Sequence, residues 1–393
     1  MKNGDLSKIT FAKRTLQQIK DSENPAGKYD LSFDQKDAIN AVVSGVKQYL
    51  LSGRKVGCLE MILGPPGTGK TTCIMEIEHQ LQSLIIDGVK QDVTSIFTAS
   101  TGVAASINYG QTIYSAANIH WAHWGKSKAN VKLEKDLTEN DFVASAELKI
   151  VDLILIDEIS MVPHRVLADL DRGLRRLMGN EQPFGGKCIL LGGDFLQCKA
   201  INCKQLPSLC LDILHGVNRV PSNFNGANLF ILFTRRDLVT QHRVDDEQYL
   251  EHLTHMRDLT SDTPITSTFL KTLKLFSMRD VLDDPVFLLA STLVTSCYER
   301  AVFNWHIALA YKDIVKRPML YWMCPLKENF TTITAPGLVD VLPHVRQFFI
   351  QGAPAMYLQD NPNPGMRVCN GARATMHSLV YFNGTPNHLV AKM

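Results

Sequence analysis

The chain has 393 residues, of which 45% are hydrophobic and 20% are charged, a balance that excludes wholesale disorder. At about 150 residues per domain, this length predicts roughly two to three domains. The 41 lysines and arginines nearly balance the 39 aspartates and glutamates, so any contact with a polyanion must come from a local groove and not from the bulk charge.

The N-terminal 28 residues are polar and end in D-S-E-N-P-A-G-K, a composition typical of a linker. We see no secretory signal and no run of the roughly 20 apolar residues that a membrane span needs, so we expect an intracellular protein without a membrane partner. The nine cysteines contain no C-x-x-C pair. Reduced thiols are the favoured interpretation, and a zinc site at Cys198, Cys203 and Cys210 is the alternative, although no histidine is spaced to complete it.

Apolar residues at helical spacing predict a helix over 38–50, and an apolar strand over 56–63 runs into a glycine-rich turn. A second amphipathic helix follows, with an apolar face of Ile74, Ile77, Leu81, Leu84 and Ile85. Further strands are predicted at 93–98, 150–156, 188–192 and 229–233. This alternation predicts an α/β fold, with a mostly parallel sheet covered by helices on both faces.

Two stretches depart from this alternation. Residues 121–149 are polar, rich in lysine and begin with a tryptophan, which indicates an insertion. Beyond residue 325, short strands and turns with Gly, Pro and Asn predict a small β-rich module. On the helix predicted over 163–178, the charged stripe Arg165, Asp169, Arg172 and Arg176 is interpreted mainly as a solvated face with pairs one turn apart.

The segment 64–71 reads G-P-P-G-T-G-K-T and matches G-x-x-x-x-G-K-[ST] in full, between a predicted strand and a predicted helix. Its glycines let backbone N–H groups turn around a phosphate, and the helix N-terminus favours an anion. Lys70 is expected to reach the β- and γ-phosphates, and the Thr71 hydroxyl to bind Mg²⁺. The predicted nucleotide contacts are Gly64, Pro65, Pro66, Gly67, Thr68, Gly69, Lys70, Thr71 and Thr72. The alternative is a glycine turn without a ligand.

The apolar strand V-D-L-I-L-I-D-E (151–158) ends in two carboxylates. Asp157 is expected to hold Mg²⁺ together with Thr71, and Glu158 to orient and deprotonate the attacking water. Two acids at an ordinary strand end are the alternative. Together with the phosphate loop, the pair predicts that the chain binds and hydrolyses a nucleoside triphosphate.

Five segments around this site follow a fixed order: L-S-F-D-Q-K-D-A-I (31–39), T-A-S-T-G-V-A-A-S (98–106), D-E-I-S-M (157–161), F-G-G-K-C-I-L-L-G-G-D-F-L-Q (184–197) and L-V-T-Q-H-R (238–243). They resemble superfamily-one DNA helicases, best the RecD-like branch that includes the petite-integration-frequency (Pif) helicases and their transposon-borne Helitron relatives. The resemblance covers about residues 29–390.

This resemblance implies a RecA-like P-loop fold and an enzyme that uses ATP and Mg²⁺ to translocate 5′→3′ on single-stranded DNA. It implies DNA junctions as partners and roles in repair, recombination and telomere maintenance. A monomer is expected, in the nucleus, with the mitochondrion as the alternative compartment.

The resemblance also implies roles for three more residues. Gln35 would read the adenine edge, and a capping box between Ser32 and Gln35 is a compatible alternative. Gln197 would sense the γ-phosphate, the alternative being an ordinary polar loop residue. Arg243 would cross an interdomain cleft to the γ-phosphate and neutralise charge in the transition state, the alternative being a surface arginine.

For DNA, the resemblance offers Ser100, Thr101 and the backbone around Gly102 as phosphate contacts, which suits recognition independent of sequence. Tyr114, Trp121 and Trp124 are candidates to stack on bases, and core packing is the alternative for each of them.

Several motifs depart from the family pattern. T-I-Y-S-A (112–116) stands where T-x-H-S-F is expected, C-K-A-I follows G-D-F-L-Q in place of L-P-P, and Val244 replaces a glutamine. The late H-K-S-Q-G-x-T segment and a second γ-phosphate arginine do not occur before Met393. We therefore expect a fragment or truncated copy of such a helicase.

The expected domains are an N-terminal extension (1–28), a first RecA-like ATPase domain (29–205, with an insertion at about 112–149), a partial second RecA-like domain (206–325) and a β-rich insertion (326–393). One alternative function is a decayed transposon-derived protein that binds nucleotide or DNA without turnover. Another is a P-loop ATPase acting on protein partners, which leaves 98–106 and 184–197 unexplained.

Overall fold

The computed structural model describes residues 30–108, 110–117, 146–201, 203–216, 225–257, 270–271, 273–288, 290–323, 346–358, 369–382 and 385–392. The chain divides into two compact units, the first comprising Met1–Asp258 and Asn361–Cys369, and the second comprising Leu259–Asp360 and Asn370–Met393. Among the described helices, none combines the length and apolar character that crossing a bilayer requires.

The first unit alternates strands and helices along the chain. Its described helices are α1 (Phe33–Leu51), α2 (Lys70–Gln82), α3 (Gly102–Ile107), α4 (Ile113–Ala116), α5 (His164–Met178), α6 (Leu206–Leu214), α7 (Asn225–Phe230) and α8 (Glu247–Arg257). Its described strands are β1 (Leu59–Leu63), β2 (Ile85–Ile86), β3 (Val89–Lys90), β4 (Ser95–Ala99), β5 (Gln111–Thr112), β6 (Leu153–Asp157), β7 (Cys188–Gly193) and β8 (Thr234–Asp237).

A six-stranded sheet in the order β5-β4-β6-β7-β1-β8 forms the centre of this unit, and all its strand pairs are parallel. Successive residues of a strand point to opposite faces. Ile154 and Ile156 of β6 therefore join a core with α5, whereas Leu153 and Leu155 join a second core with α1 and α2. This confirms the predicted parallel sheet with helices on both faces.

Most predicted elements are present with shifted ends. The helix predicted over 38–50 is α1, and the strands predicted at 56–63, 93–98, 150–156 and 188–192 are β1, β4, β6 and β7. Helix α2 ends at Gln82, so Ile85 lies in the β2–β3 hairpin and not on the helix. On α5, Asp169 forms ion pairs with Arg165 and Arg172, as the charged stripe predicted.

The strand predicted over 229–233 is wrong. Leu229 and Phe230 lie in α7, where they are buried in the core together with Phe233. The strand follows as β8, with the sequence T-R-R-D, and among the described strands it pairs only with β1, at the edge of the sheet. An edge strand tolerates charged residues, which is why β8 has no apolar run. The apolar run at 229–233 belongs instead to the end of α7 and to the core beside it.

The pairing of β8 with β1 places β8 in the first compact unit, which continues to Asp258. The sequence predicted the end of the first domain after residue 205, and those domain bounds stay a prediction. Of the predicted insertion, residues 118–145 lie outside the described residues. Its first described residues form the end of β5 and α4 and contribute Ile113 and Ala116 to the core.

In the second unit, the described elements are α9 (Met278–Asp283), α10 (Pro285–Leu288), α11 (Cys297–Val315), β9 (Leu320–Met323), β10 (Arg346–Phe349), β11 (Pro354–Met356), β12 (Arg373–Phe382) and β13 (Thr385–Lys392). Its described strands form a β9–β10 pair and a β11-β12-β13 sheet, both antiparallel. Ala308, Phe349, Ile350, Ala353 and Met376 form its core. The partial second RecA-like domain stays a prediction.

Candidate nucleotide-binding site

The glycine-rich loop joins the end of β1 at Leu63 to the start of α2 at Lys70. Gly67 and Gly69 adopt φ angles of +90° and +81°, in the left-handed region that favours glycine. A Cβ at Gly69 would lie 2.3 Å from Nε2 of Gln35, and a Cβ at Gly67 would lie 1.8 Å from Oε1 of Gln241. Both glycines therefore suit the backbone conformation, and a side chain at either position would displace the amide of a neighbouring glutamine.

The side chain of Lys70 lies within this loop. Its Nζ donates hydrogen bonds to the carbonyl oxygens of Gly64, at 2.6 Å, and Pro65, at 3.1 Å. Burial lowers the pKa of Lys70, and the negative charges of Asp194 and Asp157 partly oppose that shift. The ammonium group is thus held where a phosphate would meet the loop.

Asp157 is the last residue of β6, and Glu158 follows it. The Asp157 carboxylate accepts a hydrogen bond from the N–H of Glu158 at 2.9 Å. Burial raises the pKa of both carboxyl groups, and the charge of Asp157 raises the pKa of Glu158 further. Glu158 has a left-handed backbone, with φ 54° and ψ 46°, which costs on the order of 1–3 kcal/mol and is typical of functional sites.

The sheet brings these carboxylates toward the phosphate loop. Strands β1 and β6 both pair with β7 in parallel, so their carboxyl ends lie at the same edge. On the intervening β7, a Cβ at Gly192 would lie 3.1 Å from Oδ1 of Asp157. Thr71, in the first turn of α2, is exposed.

Gln35 ties the start of α1 to the loop. Its side chain is 3% exposed, its Oε1 accepts the N–H of Ser32 at 3.1 Å, and its Nε2 donates to the carbonyl oxygen of Thr68 at 3.0 Å. The capping box between Ser32 and Gln35 is thereby confirmed. The same amide also lies against the loop predicted to bind phosphate.

Residues 238–243, here called the strap, contact both α1 and the loop. The N–H groups of Val239 and Thr240 donate to the Asp34 carboxylate at 2.7 and 3.0 Å, and the Thr240 hydroxyl donates at 3.1 Å. Burial alone would raise the pKa of Asp34, but these hydrogen bonds and one from Ser32 hold it well below its ordinary value.

The second half of the strap lies on the phosphate loop. Nε2 of Gln241 donates to the carbonyl oxygen of Pro66 at 2.9 Å, and the N–H of His242 donates to that of Gly67 at 2.9 Å. Gln241 also accepts the N–H of Arg243 at 3.1 Å. Arg243 therefore belongs to the same unit as the phosphate loop, in contrast to the position across an interdomain cleft that the resemblance implied.

Gln197 lies beside a pair of charged residues, Asp194 and Arg257, that were not among the predicted site residues. Its Nε2 lies 3.4 Å from Oδ2 of Asp194, which is 4% exposed. Arg257, the last residue of α8, donates to both carboxylate oxygens of Asp194, at 2.7 and 2.9 Å. Asp194 could have been found from the sequence because it belongs to the G-D-F-L-Q motif. Arg257 could not, because it lies outside all five helicase-like segments.

The candidate DNA contacts lie at the end of β4 and the start of α3. The Ser100 hydroxyl is buried and has no hydrogen-bond partner among the described residues. Thr101 caps α3 by accepting the N–H of Ala104 at 3.3 Å, and Gly102 is the first helical residue.

Tyr114 lies in the core of the first unit, 9% exposed, and burial raises its pKa to about 12. Because a base can stack only on an exposed ring face, this burial favours the packing alternative. Trp121 and Trp124 lie outside the described residues.

Within the described ranges, no group of three or more His, Cys, Asp or Glu side chains is arranged to hold a metal ion. Cys198 is exposed, Cys203 half-buried and Cys210 buried, all as free thiols.

Two solved structures resemble the chain over most of its length. The Pif1 helicase of Candida albicans gives a TM-score of 0.57 at 20% identity, covering 90% of this chain and 70% of that one. Bacteroides Pif1 bound to single-stranded DNA gives 0.52 at 20% identity, with the same coverage. At this identity the likeness shows the fold. The sheet order, the loop and the carboxylates at the strand end define a P-loop protein of the RecA-like class.

The sequence comparisons agree on one kind of protein. Residues 30–209, a little less than half of the chain, match the family model described as PIF1-like helicase. The ATP-dependent DNA helicase PIF1 of Trypanosoma brucei brucei is 31% identical over 174 residues, and RRM3 of Saccharomyces cerevisiae is 34% identical over 134 residues. These matches cover 44% and 34% of this chain but only 15% and 17% of those relatives.

Proposed function

We propose that this chain carries the ATP-driven motor of a Pif-type DNA helicase, which couples ATP hydrolysis to 5′→3′ translocation on single-stranded DNA. The observation that carries this proposal is the convergence of Lys70, Asp157, Glu158 and Gln197 at the phosphate-loop edge of one sheet. Relatives of residues 30–209 are named ATP-dependent DNA helicases. Repair, recombination and telomere maintenance are the processes we propose for it.

The loop and Gln35 would hold the nucleotide. Backbone N–H groups of residues 67–69 would cradle the phosphates, and Lys70 would exchange its carbonyl partners for phosphate oxygens. An amide carries two N–H donors and two acceptor lone pairs. The bonds of Gln35 to Ser32 and Thr68 use one donor and one acceptor, which leaves one of each for the edge of adenine.

One residue at the start of α2 and one at the end of β6 fit Mg²⁺. Thr71 and Asp157 offer a hydroxyl and a carboxylate, and Mg²⁺ prefers oxygen ligands and takes only one or two from the protein beside phosphates and water. Bound there, Mg²⁺ would supply neutralising charge to the phosphates. An all-protein cage of three or more ligands is not needed for this role.

Three side chains would act on the reaction itself. The pKa of Glu158 is raised by burial and by Asp157, which suits a group that accepts a proton from water. Gln197 would contact the γ-phosphate, and Arg243 would neutralise charge that develops in the transition state. The strap holds Arg243 beside the loop through Gln241.

We propose single-stranded DNA and DNA junctions as partners of Ser100, Thr101 and Gly102. The Thr101 hydroxyl accepts a bond but keeps its own proton to donate to a phosphate. The Ser100 hydroxyl, which has no partner in the described part of the chain, would do the same after turning toward the surface. We further propose that the protein acts as a monomer in the nucleus, with the mitochondrion as the alternative.

ATP turnover with and without single-stranded DNA tests the proposal in the wild-type chain and in Lys70→Ala. Lys90→Ala is the control, because Lys90 is exposed on the β2–β3 hairpin. We expect turnover that DNA stimulates, that Lys70→Ala abolishes and that Lys90→Ala retains. Nucleotide binding without turnover dependent on Lys70 would favour the decayed, non-hydrolysing alternative.

A further inference from the structure

A buried carboxylate organises the loop that follows β7. Asp194 is 4% exposed, and its Oδ1 accepts the N–H of Leu196 at 3.1 Å. Its backbone carbonyl accepts the N–H of Gln197 at 3.1 Å, and its Oδ2 lies 3.4 Å from Nε2 of the same Gln197. The direction of the Gln197 side chain therefore depends on how the Asp194 carboxylate is oriented.

Arg257 sets that orientation. Its Nη1 and Nη2 donate to Oδ2 and Oδ1 of Asp194 at 2.7 and 2.9 Å. Two parallel bonds between a guanidinium and a carboxylate fix the plane of the carboxylate as well as its position, which a lysine cannot do. The side chain of Arg257 is 26% exposed and that of Asp194 only 4%, so the pair is largely withdrawn from water.

The loop after β7 lies next to the phosphate loop. The N–H of Gly64, the first residue of the phosphate loop, donates to the carbonyl oxygen of Gly193, the residue before Asp194, at 3.2 Å. Leu63 is paired with the same Gly193 in the register of β1 and β7. Asp194 and Gln197 therefore follow β7 at the edge of the sheet where the phosphates would meet the loop.

We infer that Arg257 is a positioning residue for ATP hydrolysis, which aims Gln197 at the γ-phosphate through its paired hydrogen bonds to Asp194. This inference rests on the proposed function. Because Arg257 ends α8, a displacement of that helix would reach Gln197 through the side chains of Arg257 and Asp194. In this inference Arg257 acts through Asp194 and Gln197 and not by touching the nucleotide.

Three variants test the inference: Arg257→Gln, Arg257→Lys and the control Arg54→Gln. Arg54 donates to Asp152 at 2.8 Å, and Asp152 is 2% exposed. Asp152 precedes β6, at the opposite end of the strand from Asp157. The control thus removes an arginine from a buried aspartate in the same unit without reaching the phosphate site.

The readouts are kcat for ATP, the Kd of a fluorescent ATP analogue and the midpoint of thermal unfolding. We expect Arg257→Gln to lower kcat at least about tenfold, equal to about 1.4 kcal/mol. The Kd should change by less than about threefold, because Gln197 acts on the transition state more than on binding. Arg257→Lys should recover part of kcat, since it keeps the charge but not the paired geometry.

Arg54→Gln should lower the unfolding midpoint comparably while keeping kcat. An unchanged kcat in Arg257→Gln, or equal changes in kcat for both glutamine variants, would overturn the inference. If Arg257→Gln does not fold, Arg257→Lys decides, because a wild-type kcat there would exclude a geometric role. A wild-type chain without turnover dependent on Lys70 would overturn the proposed function and this inference with it.

Discussion

Replacing Gly69 by alanine tests how tightly the phosphate loop is tied to α1. Gly69 precedes α2 with φ 81° and ψ 27°. The new Cβ would lie 2.3 Å from Nε2 of Gln35, far inside van der Waals contact, so the Gln35 amide must move. That movement breaks its bond to the Thr68 carbonyl, which is 3.0 Å long.

Two terms set the magnitude of the expected loss. A non-glycine residue in the left-handed region costs about 1–2 kcal/mol. Breaking the Gln35 bond leaves a buried amide and a carbonyl without their partner, which costs about 1–3 kcal/mol more. We therefore expect the free energy of unfolding of the first unit to fall by about 2–5 kcal/mol.

Gly179→Ala is the matched control, because Gly179 has φ 59° and no atom of the described residues would lie within 4 Å of its new methyl group. It should lose only the backbone term, about 1–2 kcal/mol. Urea unfolding of both variants, with the Kd of a fluorescent ATP analogue, separates the two terms. Gly69→Ala should lose stability and nucleotide affinity, and Gly179→Ala only stability. Equal losses of stability would refute the close approach of Gln35 to the loop.

Two further predictions concern acid dependence and packing. Burial and the charge of Asp157 raise the folded-state pKa of Glu158 above its ordinary 4.5. The general base therefore becomes protonated, and kcat falls, at a higher pH than for an ordinary glutamate. An acid limb of the pH–kcat profile centred at 4.5 would contradict this prediction. Tyr114→Ala should lower the free energy of unfolding by about 3–5 kcal/mol, because it empties a core position. Tyr114→Leu, which removes the ring but keeps an apolar side chain in the core, should retain single-stranded DNA affinity in a fluorescence anisotropy titration, and a large loss of affinity in that variant would restore the stacking role.

The parts of the site that the sequence predicted are those whose determinants are local. Residues 64–71 form a phosphate loop because closely spaced glycines permit its turns, and the strand and helix on either side are separately recognisable. The capping box needs only Ser32 and Gln35, three positions apart, and the structure contains it. Asp157 and Glu158 could be located because an apolar strand leads directly into them.

The parts that could not be predicted depend on contacts between distant segments. Asp34 contacts Val239 and Thr240 of the strap across more than 200 positions. Neither local sequence predicts this contact. Arg257 lies in a helix whose sequence carries no motif, and only its hydrogen bonds to Asp194 connect it with the site. The prediction of the edge strand β8 failed for a related reason. Its charged sequence has no alternation of apolar and polar residues, and its register is set by pairing with β1.

These distant contacts converge on a site whose charges oppose folding. Burial lowers the pKa of Lys70 and raises those of Asp157 and Glu158, so each group is less stable in its charged form than it would be in water. The apolar cores on both faces of the sheet must offset that cost. A triphosphate with Mg²⁺ brings charges opposite to those of the lysine and the carboxylates. Binding should therefore stabilise the first unit through the same groups that destabilise it when empty.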